Sequence, residues 1–200
     1  MSKGFLLIVS GPSGCGKGTV CQELFKKNEE LLFSVSATTR KPREGEIDGV
    51  NYFFVDEEKF TNMVNDNEFL EYAKVHYNYY GTPKKFVLEK IEKGEVVVLE
   101  IDVQGALQVK EAYPEAVSIF LVPPSMNELK NRIIKRGTET EKDINIRLEN
   151  AFWELKFIDK YDYIVMNDEV IKAVEKIESI ITAEKLKVKR HKNIMEKIIS

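Results

Sequence analysis

Two hundred residues are enough for one packed core with small insertions and short for two full domains. Thirty basic side chains against 33 acidic ones give a net charge of −3, without the diffuse positive field of a general polyanion binder. The longest apolar runs, Phe5 to Val9 and Val96 to Leu99, are far too short to span a bilayer, and neither nucleic acid nor membrane is expected as a partner. Only Arg40, Arg43, Arg132, Arg136, Arg147 and Arg190 are arginines, against 24 lysines, so each arginine asks for a reason. Cys15 and Cys21 with His76 and His191 offer no zinc spacing and no disulfide framework, which fits a reducing, cytoplasmic setting. The apolar stretch near the start is also shorter than a secretory signal requires.

The first predicted element is a buried strand, Phe5 to Ser10, followed by a helix over Lys17 to Lys27. Further buried strands are predicted at Val96 to Ile101, Val117 to Val122 and Tyr163 to Met166. Helical patterns run over Pro83 to Lys93, Ser125 to Lys135, Glu141 to Asp159 and Glu169 to Glu184. This alternation predicts an α/β fold with a mostly parallel sheet. From about 37 to 82 the rhythm changes: Tyr52 to Val55, a polar helix over Glu57 to Asn65, and Phe69 to Val75 read as an insert with antiparallel strands. The basic stretch from Lys185 to Lys192, with Ile194, Met195, Ile198 and Ile199 after it, reads as a solvated helix end that packs two or three side chains.

Between the first strand and first helix lies Gly11-Pro12-Ser13-Gly14-Cys15-Gly16-Lys17-Gly18-Thr19. Glycines allow a tight turn whose N–H groups converge on phosphate oxygens at a helix N-terminus, and Lys17 supplies a mobile positive charge. Gly18 stands where this motif usually carries a magnesium-binding hydroxyl, and Thr19 is turned about 100° from that position. Cys15 reads as a small loop filler, although a thiol at a helix N-terminus is open to a lowered pKa.

Several blocks resemble the guanylate kinase family. They are Gly11 to Thr19, Ser34 to Arg40 with Arg43 and Gly45-Glu46, Tyr52, Glu68 to Tyr72 and Tyr79 to Thr82. Glu100 to Gly105, Pro123 to Ser125, Arg136 to Thr140 and Asn167-Asp168 complete the set. The resemblance implies transfer of the ATP γ-phosphoryl group to GMP, and to dGMP, with Mg²⁺ as cofactor and a role in purine nucleotide recycling. It implies a core over 1–36, 83–124 and 151–184, a GMP lobe over about 37–82 and a lid over about 125–150, with a basic tail at 185–200. Gly11 to Thr19 and Asn167 are then expected to hold ATP. Ser36, Arg40, Arg43, Tyr52, Glu71, Tyr80, Thr82 and Asp102 are expected to hold GMP. Lys17, Arg40, Arg132, Arg136 and Arg147 are expected to act in catalysis.

Chemistry supports the same assignment. A phosphate monoester asks for bidentate arginine forks, and guanine presents N–H donors that want carboxylates opposite them. Glu100 and Asp102, two apart at a strand end, are expected to share a face beside the phosphate loop. With Gly18 present, the metal is expected to be held mainly by ATP and water, with Thr19 or Asp102 assisting indirectly. A monomer or small homo-oligomer is expected. The competing expectation is a non-catalytic guanylate kinase-like module that binds phosphorylated partners.

Overall fold

The computed structural model describes residues 3–75, 77–135, 141–191 and 194–199. Its elements in chain order are β1 (Phe5–Ser10), α1 (Lys17–Lys27), β2 (Leu31–Phe33), β3 (Ala37–Thr38), β4 (Phe53–Phe54), α2 (Glu57–Asn65), β5 (Phe69–Val75) and β6 (Asn78–Pro83). Then come α3 (Lys84–Glu92), β7 (Val96–Glu100), α4 (Val103–Ala112), β8 (Val117–Val122), α5 (Met126–Lys135) and α6 (Glu141–Glu154). A 3₁₀ turn (Leu155–Lys160), β9 (Tyr163–Met166), α7 (Val170–Lys185), a second 3₁₀ turn (Val188–Arg190) and α8 (Ile194–Ile199) complete the chain.

The main sheet has the order β2-β7-β1-β8-β9, every pair parallel. Both faces are covered, which is why β1 is apolar without alternation. Leu7 and Val9 pack with α1 and α7 through Val20, Leu24, Val174 and Ile177. Leu6 and Ile8 face the other way, toward Val87 and Ile91 of α3 and Ala106 and Val109 of α4. Because β1 is central, the loop leaving its C-terminal end opens at the middle of the sheet edge, where doubly wound folds bind ligands.

A second sheet, β4-β3-β6-β5, has its own small core in which Phe60 of α2 stacks on Phe69 and Tyr79 at 4.6 and 5.4 Å between ring centroids. The expected antiparallel strands are present in β5–β6 and β3–β6, but β4 runs parallel to β3. Helices α5 and α6 pack on each other through Leu129, Ile133 and Ala151.

Three further expectations change. The helix expected to reach Asp159 stops at Glu154 and tightens into a 3₁₀ turn, which seats Leu155 and Phe157 against Val103 and Phe120. Glu100 ends its strand, so Asp102 is not on a shared strand face. It is the N-cap of α4, accepting a 2.8 Å hydrogen bond from the Gly105 N–H. Nor is the whole basic stretch after α7 solvated: Arg190 is 5% exposed, its Nη2 lies 2.9 Å from Glu184 Oε2, and its guanidinium sits 4.2 Å from the Phe5 ring centroid. Lys3 N–H donates to the Arg190 carbonyl, so this stretch is tied to the chain entering β1.

Candidate active site

The phosphate loop turns through left-handed glycines. Gly16 caps α1 at φ 96°, and a Cβ there would fall 2.5 Å from Asn167 Nδ2, so both the conformation and the space require glycine. That same Nδ2 donates to the Cys15 carbonyl at 2.8 Å. Lys17 Nζ donates to the carbonyls of Gly11 and Pro12 at 2.6 and 3.2 Å. Cys15 is fully buried, and burial pushes its thiol pKa up despite the opposing charge of Lys17, so the lowered value considered from its helix position does not occur.

Arginines and an acid from the α5–α6 pair reach this loop. Arg132 donates through Nη1 to Cys15 O at 3.3 Å, through Nη2 to Asn167 O at 3.1 Å, and through Nε to Glu128 at 2.9 Å. Arg147 Nη2 donates to Ser13 Oγ at 3.1 Å, and the Ser13 N–H donates to Glu154 Oε2 at 3.1 Å. Arg136 lies outside the described residues. Gly14, Gly16, Thr19, Arg132, Asn167 and Asp168 line one cleft on this side of the loop.

A second cleft is lined by Ser36, Tyr52, Glu71, Tyr80, Glu100 and Asp102, with Gln104, Gly105 and Gln108 from α4. A Cβ on Gly105 would lie 3.4 Å from Glu71 Oε2 and 3.5 Å from Asp102 Oδ1, so the two carboxylates converge on the first turn of α4. Buried Thr82 donates to Glu71 Oε1 at 2.6 Å and orients it. Burial raises the Glu71 pKa, and nearby Asp102 raises it further, against the Thr82 hydrogen bonds. Arg40 stands over the Tyr52 ring at 5.4 Å, Tyr52 and Tyr80 are edge to face at 6.0 Å, and Arg43 is exposed nearby in sequence.

Glu100 links the second cleft to the phosphate loop. It lines the second, its carboxylate feels the charge of Lys17, and a Cβ on Gly18 would lie 3.5 Å from its Oε1. Burial raises its pKa, the response of a carboxylate held at a partly dry site. Thr19 instead lines the first cleft, and Asp102 is engaged as a helix cap. Among the described residues no group of three or more His, Cys, Asp or Glu side chains could hold a metal ion by itself.

Glu154, Gln104 and Gln108 were not singled out from the sequence. Glu154 carries no signal in an acid-rich helix, whereas the two glutamines stand four apart and share a face once α4 is recognised.

The guanylate kinase family profile matches residues 3–184. The chain belongs to the guanylate kinase family. It is 57% identical over 196 residues to the guanylate kinase of Caldanaerobacter subterraneus subsp. tengcongensis, covering 98% of this chain and 95% of that one. It is 59% identical over 193 residues to the Clostridium tetani guanylate kinase, covering 96% and 92%. The crystal structure of guanylate kinase from Anaplasma phagocytophilum superposes with a TM-score of 0.76 at 36% identity, covering all of this chain and 95% of that one. The guanylate kinase profile thus takes in both clefts and all but the last residue of α7, and stops before the Arg190 turn. Among the described residues no helix is long and apolar enough to cross a membrane.

Proposed function

We infer that this protein transfers the γ-phosphoryl group of ATP to GMP, giving ADP and GDP. The observation that carries the reading is the paired clefts: a phosphate loop with Lys17 and arginines on one side, and a carboxylate-bearing base pocket on the other, joined at Glu100.

In this reading Lys17 and the loop N–H groups hold the donor phosphates. Arg40, Arg43 and the hydroxyls of Tyr52 and Tyr80 receive the phosphate of GMP. Glu71, fixed by Thr82, accepts from the N–H groups on the guanine edge, with Asp102 and Ser36 completing the pocket. Adenine would set an acceptor against those oxygens, the kind of mismatch a built polar pocket rejects by up to about 10⁴-fold. Arg132 and Arg147, together with Arg136, supply positive charge as it builds on the phosphoryl oxygens. No general base is needed, because a phosphate monoester with its second pKa near ~6 is already anionic at neutral pH.

The donor set fits Mg²⁺: one hard carboxylate, Glu100, beside the space left by Gly18, with the remaining positions going to water and nucleotide phosphates. The ion supplies charge neutralisation across the phosphates when bound. Excluding water would fall to the α5–α6 pair over the loop.

The test is ADP formation from ATP and Mg²⁺ with GMP, dGMP, AMP, UMP and CMP offered in turn. GMP and dGMP should be used. Absence of GMP-dependent turnover would overturn the activity, and equal use of AMP would overturn the pocket assignment.

A further inference from the structure

The charge of the chain is divided unevenly. From Lys185 onward there are six basic side chains, Lys185, Lys187, Lys189, Arg190, Lys192 and Lys197, against Glu196 alone, while the first 184 residues hold 24 basic against 32 acidic. The end of the chain thus carries a formal +5 and the body −8. The near-balanced total that spoke against an anionic partner averages these two parts.

Apolar side chains on the same stretch stand in water. Leu186 and Val188 are 71% and 83% exposed, Ile198 and Ile199 of α8 are 73% and 76% exposed, and Ile194 is exposed one turn before Ile198. A single exposed aliphatic residue needs no explanation, but five within fourteen positions, in a sequence rich in lysine, form a patch. Its cause at the α7 end is local. Glu184 draws Arg190 inward at 2.9 Å, and the Arg190 N–H donates to the Lys187 carbonyl at 2.9 Å, which closes a turn and leaves Val188 and Lys189 on its outer side.

We propose that this end of the chain is a docking surface for an anionic lipid bilayer: Lys189 and its neighbours meet the headgroups, while Leu186, Val188 and the Ile194, Ile198 and Ile199 side chains of α8 enter the acyl boundary. Such an attachment is peripheral and reversible.

Both halves of the surface are needed. Arg190 and Lys187 are occupied by Glu184, and Lys185 lies 3.7 Å from Glu30, so the charge offered to a partner is smaller than the count. Near an anionic membrane each lysine changes affinity about fivefold, and the aliphatic side chains add a contribution that salt does not screen. The acidic body opposes contact, but charges more than about 8 Å from the lipid are screened at physiological ionic strength, so the segment that touches the surface decides the balance. A nucleic acid would engage the lysines and leave the aliphatic side chains in water. A bilayer takes up both.

The experiment sediments the full chain with vesicles of phosphatidylcholine alone and of equimolar phosphatidylcholine and phosphatidylglycerol, at low and at physiological salt, beside Lys189→Glu and the double variant Ile198→Ser with Ile199→Ser. All three positions are exposed, so both variants should keep the wild-type Tm. The wild type should bind the mixed vesicles and not the neutral ones, more weakly as salt rises. Lys189→Glu, a change of two charges, should weaken binding about thirtyfold, and the double variant about tenfold or more. No binding to mixed vesicles at low salt would overturn the proposal, as would equal binding to neutral ones. Affinity unchanged in both variants would put the contact elsewhere and overturn it too, and a loss confined to one variant would overturn the two-part surface. Two further outcomes reassign the patch and overturn the proposal. One is binding of a DNA duplex, in place of vesicles, that only Lys189→Glu weakens; the other is self-association without vesicle binding, abolished by the double variant.

Discussion

The carboxylate of Glu154, the last residue of α6, accepts a 3.1 Å hydrogen bond from the backbone N–H of Ser13, an acid placed on a loop built to receive phosphates. Arg147 is seven residues earlier, two turns back on the same helix face, and donates to Ser13 Oγ. One helix therefore grips both the main chain and the hydroxyl of a single loop residue. Burial raises the Glu154 pKa, while the Ser13 N–H and the charge of Lys17 oppose that rise, so the carboxylate is held in place at some desolvation cost.

Cutting that grip should loosen the donor side of the site. Glu154→Ala is expected to raise the KM for ATP by about five- to thirtyfold, the ~1–2 kcal/mol of a half-buried charge-assisted hydrogen bond, and to leave guanosine binding unchanged. Steady-state kinetics at saturating GMP reads this directly. A lower KM for ATP would mean that the carboxylate obstructs the donor phosphates.

Arg43→Lys tests whether a fork or merely a charge is needed at the acceptor phosphate. Lysine keeps the charge as a point donor and loses planar two-point contact. The KM for GMP should rise about tenfold, the loss of roughly one charge-assisted hydrogen bond. Full turnover with unaltered GMP affinity would make the fork unnecessary at this position.

The base pocket has a pH signature. Burial, then the proximity of Asp102, raises the Glu71 pKa above its usual value near 4.5. Protonation of Glu71 removes an acceptor from the guanine edge, so GMP affinity should fall as pH drops, beginning at a higher pH than an ordinary carboxylate would give. The phosphate of GMP also titrates in acid, so guanosine is the cleaner probe. Its Kd should rise toward low pH in the wild type and stay flat in Glu71→Gln, where the group cannot titrate. A parallel rise in both would remove Glu71 from the explanation.

The parallel core was legible because β1 and β8 are buried on both faces and read as continuous apolar runs, while the edge strand β9 is apolar although Ile164 and Met166 are exposed. Phe5 to Ser10, Val117 to Val122 and Tyr163 to Met166 form the strands their sequences predict. The short pieces were not: β2 has three residues and β3 only two, too few for any period to register. Helix α4 escaped because Gly105 and an acidic N-cap look like loop chemistry, and only the Asp102 hydrogen bond reveals the cap. Local spacing announced the phosphate loop. The meeting of Glu71 with Thr82 across β5 and β6, or of Glu154 with Ser13 across 141 residues of chain, depends on tertiary pairing that no spacing encodes.

The buried pair Glu184 and Arg190 yields the last prediction. Burial alone would push the Glu184 pKa up, but hydrogen bonds from Lys187, Arg190 and Tyr163 outweigh it and bring the group down to about 2 from 4.5. A depressed acid pKa contributes stability that is fully present above the unfolded value and lost as pH falls through the folded one. The window is therefore pH 4.5 down to about 2, and the contribution is on the order of 3 kcal/mol for a carboxylate that is 1% exposed. Arg190→Met strips away the guanidinium but leaves the acid buried, which should cost about 3–5 kcal/mol at neutral pH and lower Tm by about 6–20 °C. Urea unfolding across pH 2 to 7 should show a smaller acid-dependent loss in Arg190→Met than in the wild type, because less depression remains to be lost. Equal slopes in that window would mean that Arg190 does not set the ionisation of Glu184, and that the turn after α7 is held by packing on Phe5 instead.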